Sequence, residues 1–139
     1  MTRIDFYQID SDEEPLKFTC RLIEKIFRQG HRVYVHAEGK QQAAQLDDLL
    51  WTFRADRFIP HSRETNDPAP VLIGYGETPT CHSEVMVNLC GSVPSFFSQF
   101  ERVTEVVPMD KKKRETARNS YKFYQERGYL LQYHKIQSR

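Results

Sequence analysis

Lys111, Lys112, Lys113 and Arg114 follow Pro108 and open a segment whose apolar and aromatic residues recur with helical spacing. Cations are poorly placed there for folding alone: a helix N-terminus carries roughly half a positive charge, and each exposed cation beside it costs about 0.3–1 kcal/mol. The pattern points to capture of an anion. Arg118 and Lys122 continue from Arg114 at steps of four, and Ala117, Tyr121 and Tyr124 run beside them at steps of four and three. A basic ridge therefore lies against an aromatic one, a surface suited to docking. The same residues also fit a solvated lysine face over core tyrosines. Charge is polarised along the chain: residues 111–127 hold seven Lys or Arg against two Glu, and residues 1–20 hold five acids against two bases, inside a net charge of +1. Separation of this kind favours an oriented contact.

Other chemistry-bearing residues do not assemble into a site. Cys81-His82-Ser83-Glu84 offers metal or deaminase ligands, but no C-x-x-C pair accompanies it, and a surface loop is the better reading. His31, His36 and His61 stand at no spacing from an Asp or Cys that identifies a catalytic relay, and are read as structural. The turn Gln8-Ile9-Asp10-Ser11-Asp12-Glu13-Glu14 lacks glycine and carries carboxylates that repel a phosphate; Gly74-Tyr75-Gly76 reads as turn punctuation. No catalytic residue, metal or cofactor is expected. Trp51 ends the apolar stripe Leu46, Leu49, Leu50, and Phe58 follows seven residues on; the two are either core or a partner hot spot.

The elements that must position these residues alternate. Ile4, Phe6 and Ile9 predict a strand that stops at Asp10-Ser11-Asp12. A helix over Pro15 to Gln29 ends at Gly30, Val33-Tyr34-Val35 is a short buried strand, and a second helix runs from Lys40 to about Thr52. Phe58-Ile59-Pro60-His61 predicts a third extended piece. Residues 62–70 read as an exposed loop, and Val71-Leu72-Ile73 and Val85 to Leu89 as strands, the latter covered on both faces. A short helix around Pro94 to Gln99 and a strand over Val103 to Val107 precede the basic helix of 111–127. Strands separated by helices of this size predict one three-layer α/β domain over residues 1–139, a mostly parallel central sheet flanked by helices with right-handed crossovers.

With 139 residues, one core burying about two-thirds of the unfolded surface is expected. No apolar run approaches the roughly 20 residues of a membrane span, and Met1-Thr2-Arg3-Ile4-Asp5 leads into an acidic stretch, so a cytosolic protein is expected. Cys20, Cys81 and Cys90 imply no disulfide framework.

Taken in order, Phe6-Tyr7, Leu46-Asp47-Asp48-Leu49-Leu50-Trp51, Phe58-Ile59-Pro60-His61, Ala69-Pro70-Val71, Val107-Pro108, Ala117-Arg118, Tyr121-Lys122-x-Tyr124 and Arg127-Gly128-Tyr129 resemble the chi subunit family of bacterial DNA polymerase III over nearly the whole chain. The resemblance implies a non-catalytic accessory subunit that bridges the clamp-loader assembly to single-stranded DNA-binding protein by holding that protein's C-terminal tail, which is short, acidic and ends in phenylalanine with a free carboxylate. The family's peptide-site positions fall on Val107, Arg114, Arg118 and Tyr121. On this reading the two arginines engage the terminal carboxylate or neighbouring acids, while Val107 and Tyr121 line an apolar pocket for the phenyl ring. A second family surface, for the psi subunit or an equivalent clamp-loader partner, carries over to Trp51 and Phe58. The resemblance implies no cofactor and no membrane, and contact with nucleic acid only indirectly. The alternative is a module in which the basic helix 111–127 binds single-stranded nucleic acid directly, by phosphate neutralisation and stacking on its tyrosines.

Overall fold

Alternation with period two sorts the strand residues between two layers. In Val33-Tyr34-Val35, Val33 and Val35 belong to one apolar cluster and Tyr34 to the other, and Val85, Met86 and Val87 divide the same way; all six are essentially inaccessible. Strands of this kind are covered on both faces, which is the environment of a parallel sheet between helices.

The computed structural model describes residues 2–53, 58–64, 67–76, 78–80 and 82–137. The strands are β1 (Arg3–Asp10), β2 (Val33–His36), β3 (His61–Ser62), β4 (Val71–Gly74), β5 (Val85–Asn88), β6 (Arg102–Val107) and β7 (Leu130–Gln137). They form one sheet in the order β3-β4-β2-β5-β6-β1-β7. Every pairing among the described residues is parallel, a more uniform sheet than the mostly parallel one expected.

Helices α1 (Pro15–Arg28) and α2 (Lys40–Thr52) cover one face, where Phe18, Leu22, Ile23, Ala43, Leu46 and Leu50 join Val33, Val35, Val85 and Val87. Pro15 at the start of α1 has the φ a first turn needs and no N–H to waste. The other face is covered by α3 (Lys111–Glu126) and a 3₁₀ turn, Phe97–Gln99, with Phe6, Tyr34, Met86, Phe97, Phe100, Val103, Val107 and Tyr124 between them and the sheet. This is the three-layer α/β arrangement.

The structure departs from expectation in three places. The piece expected over Phe58 to His61 forms a ladder only at His61–Ser62, because Pro60 has no N–H to donate. The expected helix around Pro94 to Gln99 is only the 3₁₀ turn; its length is spent bringing Phe97 and Phe100 into the core. An eight-residue strand, β7, lies beyond the basic helix, where none was expected. It follows directly from the end of α3. Gly128 takes φ +78, its N–H bonds Gln125 O at 3.0 Å and Tyr129 N–H bonds Tyr124 O at 3.1 Å, so the last carbonyls are satisfied and the chain turns back. Because β7 pairs with β1 in register from Arg3↔Leu130 to Asp10↔Gln137, α3 connects β6 to β7 across β1, and a groove opens between the helix and the edge strand.

Candidate functional site

The start of α3 holds much of its own answer to the misplaced cations. Asp110 caps the helix by accepting from Lys113 N–H at 2.9 Å, and Lys113 Nζ lies 2.7 Å from Glu38 Oε2. Lys111 and Lys112 are exposed. The buried side of α3 is Ala117, Ser120 and Tyr124. Ser120 Oγ donates to Gly91 O at 2.7 Å, and the Tyr124 hydroxyl donates to Glu105 Oε2 at 2.8 Å. Glu105, fully enclosed, also receives Asn88 Nδ2 at 3.0 Å on each oxygen. Burial pushes its carboxyl up to about 7, against the opposing pull of the Asn88 and Tyr124 bonds. Burial likewise raises the Tyr124 phenol, with the Glu105 carboxylate adding to it. Tyr124 is therefore a core residue, and the aromatic ridge read from the sequence is divided between core and surface.

The surface half lines the groove. A cavity of about 520 Å³ is bounded on the helix side by Arg114, Ala117, Arg118, Tyr121, Lys122 and Gln125, and on the sheet side by Gln8, Tyr133 and Lys135. Four of these nine residues are cations and none is an acid, so the wall has one sign of charge. Tyr121 is half-buried, its ring 5.4 Å from Phe6 and 6.0 Å from Tyr133. Burial raises the Tyr133 phenol, opposed by Arg114 and Arg118, and its hydroxyl donates to Gln8 Oε1.

The two arginines stand differently. Arg114 Nη2 donates to Ile9 O at 2.7 Å and to Asp10 Oδ1 at 2.8 Å, and its Nε donates to Pro108 O at 3.2 Å, leaving only Nη1 without a hydrogen bond among the described residues. Arg118 is exposed and makes no hydrogen bond or ion pair among the described residues. Of the four positions carried over from the family, Arg114, Arg118 and Tyr121 come together at the cavity. Val107 does not line it; only 3% exposed, Val107 packs in the core cluster with Phe6 and Ala117.

Gln8, Tyr133 and Lys135 escaped sequence reasoning. The signal was present in Leu131-x-Tyr133-x-Lys135, whose period-two spacing after Gly128 marks a strand with these three residues on one face. Gln8 could not be found that way, because its place opposite α3 depends on which strand β7 joins.

At the other edge of the sheet Trp51 and Phe58 are 59% and 55% exposed, with ring centroids 5.1 Å apart. His61 supports them from below, its ring 5.1 Å from Trp51 and its side chain inaccessible. His61 Nδ1 is 2.6 Å from Ile59 O, and Nε2 lies 2.9 Å from Asp47 Oδ1, within ion-pair distance though not aligned as a hydrogen bond. Asp47 Oδ2 is 3.3 Å from Arg63 Nε.

The remaining candidates have structural surroundings. His82 Nε2 bonds Ala69 O at 2.7 Å, and burial lowers the pKa of His82 and of His36. Cys81 lies outside the described residues. Burial pushes the Cys20 thiol up to about 12. No three His, Cys, Asp or Glu among the described residues are grouped to hold a metal, and none of the described helices is long and apolar enough to cross a membrane.

Residues 1–132 match the family described as DNA polymerase III chi subunit, HolC. The chain is 44% identical to the DNA polymerase III subunit chi of Pseudomonas aeruginosa over 139 residues, covering 98% of each protein. It is 28% identical to the subunit of that name from Escherichia coli K12 over 141 residues, covering 94% of this chain and 96% of that one. The Haemophilus influenzae subunit chi is 29% identical over 119 residues, 83% of each.

Proposed function

The chain belongs to the DNA polymerase III chi subunit family, and from that premise we propose that it is a non-catalytic subunit of the replicative polymerase assembly that holds the acidic C-terminal tail of single-stranded DNA-binding protein in the groove between α3 and β7. One observation carries the reading: the groove wall combines Arg114, Arg118, Lys122 and Lys135 with Tyr121 and Tyr133 and contains no carboxylate. An acidic terminus ending in an aromatic residue is complementary to such a wall in both charge and shape. Arg118, with no partner of its own, takes a carboxylate, and the Tyr121 ring with the Ala117 methyl receives the phenyl group. Val107 supports that floor from the core. Trp51 and Phe58 face the psi subunit or an equivalent clamp-loader partner, so the two sheet edges bridge two proteins. The subunit works in the cytoplasm and meets DNA through its partner.

Fluorescence titration of a labelled acidic peptide ending in phenylalanine tests this. The free-acid peptide is expected to bind with roughly micromolar affinity, about 8 kcal/mol, and its C-terminally amidated twin markedly less well. Binding of a single-stranded oligonucleotide instead, with a salt slope of order 0.7 per phosphate contact, favours the direct nucleic-acid reading.

A further inference from the structure

Among the described residues Asp10 is the carboxylate in contact with a cation of the groove. Its Oδ1 accepts from Arg114 Nη2 at 2.8 Å and from Gln8 Nε2 at 2.9 Å, and Gln8 Oε1 accepts from the Tyr133 hydroxyl. A chain of hydrogen bonds thus runs from α3 through the carboxyl end of β1 to β7, tying together the two walls. Arg114 is tethered further by the Ile9 and Pro108 carbonyls, and Arg114 and Asp10 are about equally enclosed, 27% and 26% exposed. Gln8 and Arg114 together hold the Asp10 carboxyl below its usual range. Arg114 therefore lines the groove with its Nε and Nη2 already bonded and a counter-charge held against it. Arg118, one helical turn on, has no such partner.

We infer that Asp10 is an internal counter-ion that limits the groove's affinity for acidic ligands: it positions Arg114 as a neutralised hydrogen-bond donor and leaves Arg118 as the principal carboxylate-binding cation. This rests on the groove being the anion site proposed above. An incoming carboxylate and Asp10 share one guanidinium, so the four cations of the wall act as three net charges while Asp10 is ionised. Asp10→Asn separates charge from position, because the amide oxygen still accepts from Arg114 and Gln8 while the negative charge is gone.

The test is titration of the same labelled free-acid peptide against the wild-type chain, Asp10→Asn, Asp10→Ser and Arg118→Ala at low and high salt, with thermal unfolding of each variant alongside. Both Asp10 variants are expected to bind about three- to tenfold more tightly at low salt, the effect of unmasking one charge some 6 Å from the ligand in a mostly aqueous dielectric. Their salt dependence should be steeper, and the gain should vanish at high salt and shrink for the amidated peptide. Equal or weaker binding by both Asp10 variants, with Arg118→Ala still losing the peptide, overturns the counter-ion and leaves the groove reading standing. A lowered unfolding temperature with weaker binding and an unchanged salt slope overturns it too, since that marks a purely structural Asp10. If the wild-type chain does not bind the peptide, or Arg118→Ala binds it as well as wild type, the groove reading fails and the inference falls with it.

Discussion

The groove between α3 and β7 and the ring pair at the end of α2 lie at opposite ends of one strand order, and they are built on different physics. The groove is a wall of one charge sign over half-buried tyrosines, tied from beneath by hydrogen bonds that cross three elements. The ring pair is two exposed aromatic side chains propped on an inaccessible histidine, with its charges, Asp47 and Arg63, paired off to one side. A charged concave wall gains from long-range attraction and pays in salt sensitivity, whereas exposed rings gain only when a partner covers them. One chain can therefore hold an anionic terminus at one edge and an apolar partner at the other, through contacts that respond to different variables.

The largest break in this comparison comes from Arg118→Glu. Reversing the one unpartnered arginine of the groove should weaken the acidic peptide by about thirtyfold or more, since a charge-assisted bond of about 1.5–3 kcal/mol is replaced by repulsion. Titration checks it, and Trp51→Ala in the same assay should leave the affinity as it was.

Beside that loss of binding stands a pH effect on stability, confined to the groove's foundation. The Glu105 carboxyl titrates near 4.5 when unfolded and near 7 in the fold. Between those values the folded chain binds the extra proton, so the stability Glu105 contributes is fully present below about 4.5 and is lost as pH rises to about 7, by about 3 kcal/mol. Urea unfolding across pH 4 to 8 should register that decline in the wild-type chain, and Glu105→Gln should flatten it.

Trp51→Ala and Phe58→Ala sharpen the other side. Each should cost about 2 kcal/mol of binding to a clamp-loader partner while changing the chain's own stability by less than about 1 kcal/mol, because both rings are more than half exposed. Calorimetric titration of the partner with parallel thermal unfolding separates the two. The smallest effect is on salt: raising ionic strength should weaken the groove's peptide several-fold and the ring-pair contact hardly at all.

What could be read in advance follows the range of the interactions involved. The stripe Leu46, Leu49, Leu50 and the alternation in Val33-Tyr34-Val35 are local patterns, and α2 and β2 lie where those patterns put them. The Arg114, Arg118, Lys122 ridge is likewise one face of one helix, and the structure sets it along the cavity. Partners distant in sequence were not legible. Asp10 meets Arg114 from 104 residues away, Tyr133 meets Gln8 from 125, and both contacts require knowing that β7 joins β1. That strand itself was hidden by mixed polarity: as an edge strand it keeps Leu130, Gln132 and Tyr133 exposed and so lacks the apolar run that announced β5. Val107 illustrates the converse, a residue next in sequence to the site's helix whose side chain the alternation of β6 sends into the core.

On the reading proposed above, the α3/β7 groove, and not the ring pair, receives an acidic protein terminus. Amide chemical-shift mapping of the 139-residue chain during titration with the free-acid peptide tests it most directly. The predicted result is a contiguous set of shifts over residues 114–125 of α3, with Gln8, Tyr133 and Lys135, and quiet signals at Trp51 and Phe58. Shifts centred on Trp51 and Phe58, or none at saturating peptide, would contradict it.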